Sequence, residues 1–256
     1  MYLPTLSDLV LIVSLGAALG FFGGLFGIGG GIIAIPLLAL AFGMDQALAQ
    51  GTALVMMVPN LLIGWWRYQQ RHPVPLARLL AIAAVAMTST GVSAHFAARL
   101  DSSHLRALFG LFLCVLALML LRRRAQADDV PAPARFGVRL TPVVGLVGSS
   151  SMGLFGVGGG LVSTPLFVRL FGQRQTVAQS LGLALVTPSA IVALGSYAQA
   201  QRVDWTMGTL LALGGLFTVS AGVSFAHRLP EAKMRALFAW MMLATAAWLM
   251  LSGLRD

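Results

Sequence analysis

The chain has 256 residues, 58% of them apolar and only 10% charged, where a globular protein carries roughly 25% charge. Its net charge of +9 comes from seventeen Lys and Arg residues set in short blocks between long apolar stretches, which excludes a basic nucleic-acid-binding domain and points to a polytopic protein of the lipid bilayer. The single Cys114 lies inside an apolar stretch, so neither an intrachain disulfide nor a Cys/His metal cluster is available, and no cofactor is called for.

In chain order, the first apolar segment covers residues 9–26. It has no basic leader and no clear small-residue cleavage site before Gly24, so it reads as a retained membrane helix rather than a removed signal peptide. Gly16, Gly20 and Gly24 recur along it at four-residue spacing, a small face suited to close helix contact. A glycine-rich run interrupts the pattern, and segments 31–42, 50–66, 79–98 and 107–121 follow. The rest of the chain repeats the order with 140–155, 160–171, 179–200, 205–226 and 236–251. At 1.5 Å per residue, segment 31–42 reaches only about 18 Å, short of the roughly 30 Å hydrocarbon core, and so reads as a half-helix, as does 160–171.

The repetition is a duplication. GGLFGIGGGIIAIP at 23–36 returns as MGLFGVGGGLVSTP at 152–165, a shift of 129 residues. Without a gap, the same shift carries Gln50 onto Gln179, Pro59 onto Pro188, Tyr68 onto Tyr197, and 106–109 onto 235–238. Composition alone does not keep such columns in register. The expected organisation is a first transmembrane repeat at 1–124, a cytoplasmic linker at 125–136 and a second repeat at 137–256, integrated into one membrane domain.

If each glycine run makes a hairpin, whether re-entrant or joining two full spans, each copy crosses the membrane an odd number of times and the copies are inverted. With an outside N-terminus, the inner loops 67–78, 122–139, 169–175 and 228–235 then hold thirteen of the seventeen Lys and Arg residues, against ten for parallel copies. Inversion fits the positive-inside bias better. Trp65, Trp66 and Tyr68 flank Arg67 at an inner boundary, as an aromatic belt does. The expected fold is therefore an all-α polytopic membrane protein of two inverted repeats, each a glycine-broken helical hairpin plus three further transmembrane helices.

Gly27, Gly29, Gly30 and Gly31, with Gly156, Gly158, Gly159 and Gly160, expose peptide groups that a lipid-facing helix cannot leave unpaired, so each break must face protein or water. The helix that starts there has N–H groups without intrahelical partners and a partial positive charge, both satisfied by an anion. Two such starts related by inversion would share a midplane site. Close packing accounts well for Gly16 and Gly20 but poorly for three consecutive glycines. Pro36 and Pro165 either free a carbonyl toward the site or simply kink the half-helices.

Candidate side chains are Gln50, Thr52 and Asn60 in the first copy, and Ser163, Thr164, Gln179 and Ser180, with Thr187 and Ser189, in the second. All suit hydrogen bonding to oxyanion oxygens. Gln50 and Gln179 are expected to begin their helices, where a helix-start role serves them equally well, and Ser and Thr also bond their own helix backbone. His95 is the best buried titratable candidate, with a helix-end role as its plainer reading. No cluster of His, Asp or Cys within spans suggests an enzyme or a proton relay.

At the repeated G-L-F-G-x-G-G-G-x-x-x-x-P run the chain resembles the sulfite exporter TauE/SafE family of membrane permeases, toluenesulfonate-uptake-like members included, and the duplicated layout extends the likeness across nearly the whole chain. The resemblance implies a carrier of sulfite, sulfoacetate or related organosulfonates in the inner (plasma) membrane, with Gly27, Gly29–Gly31, Gly156 and Gly158–Gly160 as substrate-facing breaks. Ala34 and Ile35 stand where the second copy has Ser163 and Thr164, so side-chain donors are expected mainly from copy two. An interior-negative potential drives anions outward without a coupling ion, which favours export. The partners expected are a small anionic substrate and lipid, with homo-oligomerisation left open. An anion channel and a membrane-embedded assembly or sensor subunit remain the alternatives.

Overall fold

In a computed structural model the chain leaves the helical path where the glycine runs fall. The structure describes residues 6–26, 29–71, 76–122, 141–157, 159–172, 175–226 and 231–252. Among them every regular element is an α-helix: α1 (Leu6–Phe26), α2 (Gly31–Ala41), α3 (Gln46–Arg71), α4 (Leu76–Ala97), α5 (Ser102–Arg122), α6 (Thr141–Phe155), α7 (Gly159–Phe171), α8 (Gln175–Gln199), α9 (Trp205–Ala226) and α10 (Glu231–Ser252). The shift of 129 carries α3 onto the start of α8, α4 onto α9 at both ends, and α5 onto the start of α10. The expected linker at 125–136 lies outside the described residues.

Among the described residues five stretches are long and apolar enough to cross a membrane: Leu6–Leu25, Gln46–Ile63, Ser102–Met119, Leu181–Gln199 and Trp205–Gly222. The fold is that of an all-α polytopic membrane protein. The short helices α2 and α7, of 11 and 13 residues, reach about 16 and 20 Å, too short to span. Large apolar side chains such as Leu111, Val115, Phe217, Trp240 and Trp248 are exposed, as lipid-facing positions must be in the absence of water.

The helices gather into two compact units that do not coincide with the two copies. One unit takes α1, α2, α3 as far as Asn60, α5, α9 and α10; the other takes α3 from Leu61, α4, α6, α7 and α8. The first half of the sequence thus gives α4 and the end of α3 to the unit of α6, α7 and α8, and the second half gives α9 and α10 to the unit of α1 and α2.

Within the first unit, α9 lies along α1 at backbone distance. A Cβ on Gly16 would overlap the backbone of Leu211, one on Gly20 that of Gly215, one on Gly214 the carbonyl of Val13, and one on Gly222 the carbonyl of Phe21. Close approach of this kind is what small residues supply in membranes, where dispersion and hydrogen bonds replace the hydrophobic drive. It gives Gly16 and Gly20 the packing role read from their spacing. Thr218 Oγ1 donates to the carbonyl of Ala17 at 2.6 Å.

Within the second unit, α4 lies along α6, and Ser89 Oγ donates to the carbonyl of Leu146 at 3.1 Å. The shift of 129 carries Ser89 onto Thr218 and Ala17 onto Leu146, so the same interhelical bond recurs at the same column in each unit. That recurrence makes the exchange of α4 and α9 a property of the repeat rather than of one half.

Candidate functional site

In the first unit α1 ends at Phe26 and α2 begins at Gly31. Gly29 and Gly30 turn the chain with φ of 72° and 87°, a left-handed conformation that a Cβ would strain. Gly30 caps α2 without any side-chain hydrogen bond, its carbonyl accepting from Ile33 and Ala34 at 3.2 and 3.1 Å. Gly31 and Ile32 lie buried at this start. Pro36 stays inside α2, which continues through it. Gly27 lies outside the described residues.

The break rests against the middle of α3. A Cβ on Gly30 would stand 3.2 Å from Met56 Cε, and Asn60 follows Met56 by one turn on the same face. Asn60 is 3% exposed, and neither its Oδ1 nor its Nδ2 has a hydrogen-bond partner. Nδ2 lies 3.4 Å from the position a Cβ of Gly215 on α9 would take. A buried polar group left without a partner costs about 1–3 kcal/mol, so a carboxamide with both ends open marks a place where a ligand or water completes the structure.

The other first-copy candidates divide. Thr52 Oγ1 accepts from the amide of Asp204 at 3.0 Å, a tie between α3 and the loop before α9. Gln50 is fully buried, but it does not begin its helix. Asp45 Oδ1 accepts from the amides of Ala47 and Leu48 at 2.8 and 3.0 Å, so the helix starts at Gln46, a turn earlier than the onset of apolar residues suggested. The same holds for Gln179, since α8 starts at Gln175. Asp45 Oδ2 also pairs with Arg202, both side chains being partly exposed.

In the second unit α6 ends at Phe155, Gly156 turns with φ 68°, and α7 starts at Gly159. Gly158 lies outside the described residues. The carbonyls of Gly153 and Leu154, left open as α6 ends, accept from the hydroxyl of Tyr197 at 3.2 and 3.3 Å. A Cβ on Gly159 would stand 2.8 Å from Val186 Cγ2 and 3.3 Å from the Gly148 carbonyl, so this break rests between α6 and α8, while one on Gly160 would meet Val186 Cγ2 at 3.7 Å.

Ser163, one turn into α7, is fully buried and its Oγ has no hydrogen-bond partner. Thr164 beside it is half-buried. Both hydroxyls face Gly182 on α8, whose Cβ would lie 2.9 Å from Thr164 Oγ1 and 3.5 Å from Ser163 Oγ. Thr187 and Ser189 instead donate to their own helix, to the carbonyls of Leu183 and Leu185, each at 2.8 Å. Ser189 also reaches Ser149 Oγ at 3.3 Å. Gln179 and Ser180 lie in the early turns of α8, and their side chains are outside the described set.

His95 is exposed on α4, its ring set edge-on to Phe96, so it is not a buried titratable group; its place in the last turn of the helix carries it to the surface. Two positions escaped the sequence reading. Gln46 is fully buried, with both side-chain amide atoms unpartnered, and the signal for it was present, because the shift of 129 carries it onto Gln175. Gly182 had no local signal, since its meaning lies in what packs against it.

The model of the sulfite exporter TauE/SafE family matches residues 12–249. The chain belongs to that family. Among curated relatives, a chain of Xylella fastidiosa named a probable membrane transporter protein is 27% identical over 252 residues, covering 95% of each chain. One of Methanocaldococcus jannaschii with the same description is 28% identical over 188 residues, 70% of this chain and 69% of its own. A third, of Bacillus subtilis, is 24% identical over 247 residues, 86% of this chain and 89% of its own. No solved structure matches the chain significantly. This TauE/SafE protein is a multi-pass membrane transporter of the plasma membrane, in a family of transporters rather than enzymes.

Proposed function

We propose that the protein carries small sulfur-containing oxyanions or organosulfonates, of the sulfite or sulfoacetate kind, out of the cell without enzymatic chemistry of its own. The observation that carries this reading is the buried start of α2, turned by left-handed Gly29 and Gly30 and free of any side-chain cap, with the open carboxamide of Asn60 a turn away from the Met56 it faces. Helix starts of this kind present amide donors and a positive dipole end to an anion. Gly156, Gly159, Gly160 and Ser163 supply the corresponding groups in the second unit.

The distribution of basic loops supports copies of opposite orientation, a layout in which broken helices bind substrate and access alternates between the two sides. The membrane potential supports export, being worth about 2.3 kcal/mol per charge per 100 mV to an anion leaving a negative interior.

Purified protein in liposomes, loaded in turn with sulfite, thiosulfate, sulfoacetate, taurine and sulfate, tests the reading. A carrier shows saturable flux of at least one sulfur anion and accelerated exchange when the same anion is placed on the far side. Single-channel current would replace the carrier by a pore. A protein that moves none of the five anions but copurifies with a partner would instead be an assembly or sensor subunit.

A further inference from the structure

We infer that Tyr197 is a positioning residue for transport: its buried hydroxyl, carried on α8, caps the carbonyl end of α6 and so fixes the second glycine break in the form that receives an anion. This deepens the reading above and rests on it. The repeat register keeps a tyrosine at this column, Tyr68 in the first copy and Tyr197 in the second, but anchoring at a membrane boundary does not account for Tyr197, which is fully buried. A phenylalanine would fill nearly the same volume with no hydroxyl to desolvate. The oxygen is therefore explained by what it bonds.

At the end of α6 the amide of Gly156 donates to the carbonyl of Met152 at 2.9 Å, and Gly156 turns with φ 68°, a left-handed helix close. The next two carbonyls, of Gly153 and Leu154, would accept from residues 157 and 158 in an unbroken helix, but α6 stops at Phe155. Tyr197 offers its one O–H to both, at 3.2 and 3.3 Å. Thr187, Ser189 and Ser196 on the same helix instead donate to carbonyls four residues back. The last turn of α6 is also seated on α4, since a Cβ on Gly153 would stand 2.5 Å from the Thr90 carbonyl and 2.9 Å from the Ala94 amide.

The two helices flanking this break present opposite ends. The start of α7 carries about half a positive charge and the end of α6, four residues earlier in the chain, about half a negative one. An anion drawn to the amides of α7 is repelled by open carbonyls of α6, and burial keeps water from screening them. A hydrogen donated to those carbonyls blunts the repulsion and holds the last turn in place.

Liposome flux of the best-carried of the five anions above, with hydrogen–deuterium exchange of the purified protein over residues 156–162, tests the assignment in Tyr197→Phe and Thr90→Val. Thr90→Val removes another buried bond to α6, from Thr90 Oγ1 to the Ser149 carbonyl at 3.1 Å, and reports lost stability alone. Tyr197→Phe is expected to raise KM roughly ten-fold with kcat within about two-fold of wild type, and to speed exchange at the break several-fold. Thr90→Val should melt lower and keep the wild-type KM. Replacing Tyr197 by 3-fluorotyrosine, which keeps the shape and strengthens the donor, should lower KM by about two-fold.

A wild-type KM in Tyr197→Phe, or an equal rise in Thr90→Val, overturns the role of Tyr197 while leaving the transporter reading intact; should Tyr197→Phe not fold, an unchanged KM in the 3-fluorotyrosine protein does the same. Failure of the wild type to move any of the five anions overturns both.

Discussion

The two units meet the same structural demand with different chemistry. Where α9 crosses α1, glycines on both helices bring backbone against backbone, with Gly20 facing Gly215 and Gly214 facing Val13. Where α4 crosses α6, hydroxyls do more of the joining: Ser89 Oγ meets Ser150 Oγ at 2.8 Å, and Thr90 Oγ1 donates to the Ser149 carbonyl at 3.1 Å. The shift of 129 places Ser149 at the column of Gly20, and Val85 at that of Gly214. Positions related by the shift of 129 therefore share the crossing and one bond in it, while the surrounding contacts differ. The polar columns diverged too, since Ser189, the counterpart of Asn60, is satisfied where Asn60 is not.

The largest expected effect comes from forcing one crossing to adopt the other's residue. Gly214→Val would drive a branched side chain into the Val13 carbonyl and the Ala17 amide, and should cost more than the ~3 kcal/mol of ordinary overpacking, leaving no monodisperse protein in size-exclusion chromatography. The reverse change, Val85→Gly, should cost only about 1 kcal/mol in helix propensity; equal damage from both would mean that the crossings are alike after all.

Next comes the Asn60 and Ser189 column. Asn60→Leu should lower anion flux by roughly ten-fold or more with a melting temperature at or above wild type, because it removes two unsatisfied atoms. Ser189→Ala should do the opposite, lowering stability by about 1 kcal/mol with modest effect on flux. A thermal shift and a flux assay on the same preparations separate the two roles.

Smaller effects sharpen the shared bond. Thr218→Val and Ser89→Ala each remove the interhelical donor, at a cost of about 0.6 kcal/mol typical of membranes, with Ser89→Ala the larger because Ser150 also loses a partner. Least of all, Arg202→Ala should change stability by less than about 1 kcal/mol, since its pair with Asp45 is partly exposed and screened; a larger loss in denaturant titrations would assign the pair a structural weight it is not expected to have.

Much of this was written locally. The helix breaks at Gly30 and Gly156, the half-length of α2 and α7, and the repeat register follow from glycine runs and apolar periods that need no tertiary knowledge. The start of α3 lies a turn before the apolar residues because the Asp45 cap, not hydropathy, sets it. The exchange of α4 and α9 was hidden for a physical reason. Both helices are mostly apolar with small hydroxyl residues among them, so partner choice depends on which glycines and hydroxyls meet, as Gly16 meets Leu211 and Ser89 meets Leu146. Gly182 likewise acquires significance only when α7 lays two hydroxyls over it. Of the named site residues, Asn60 and Ser163 stand out through what they lack, which no pattern of residue types displays.

The exchange of fourth helices also governs how the protein must be made. During synthesis α1 enters the bilayer long before α9 exists, and α4 must wait for α6 to α8, so neither unit can close until most of the polypeptide has left the ribosome. Early segments spend that interval with glycine-lined and hydroxyl-lined faces uncovered, which makes them clients for the insertion machinery and its chaperones. A chain truncated before Trp205 would leave α1 without the helix it lies along, and a target for membrane proteolysis.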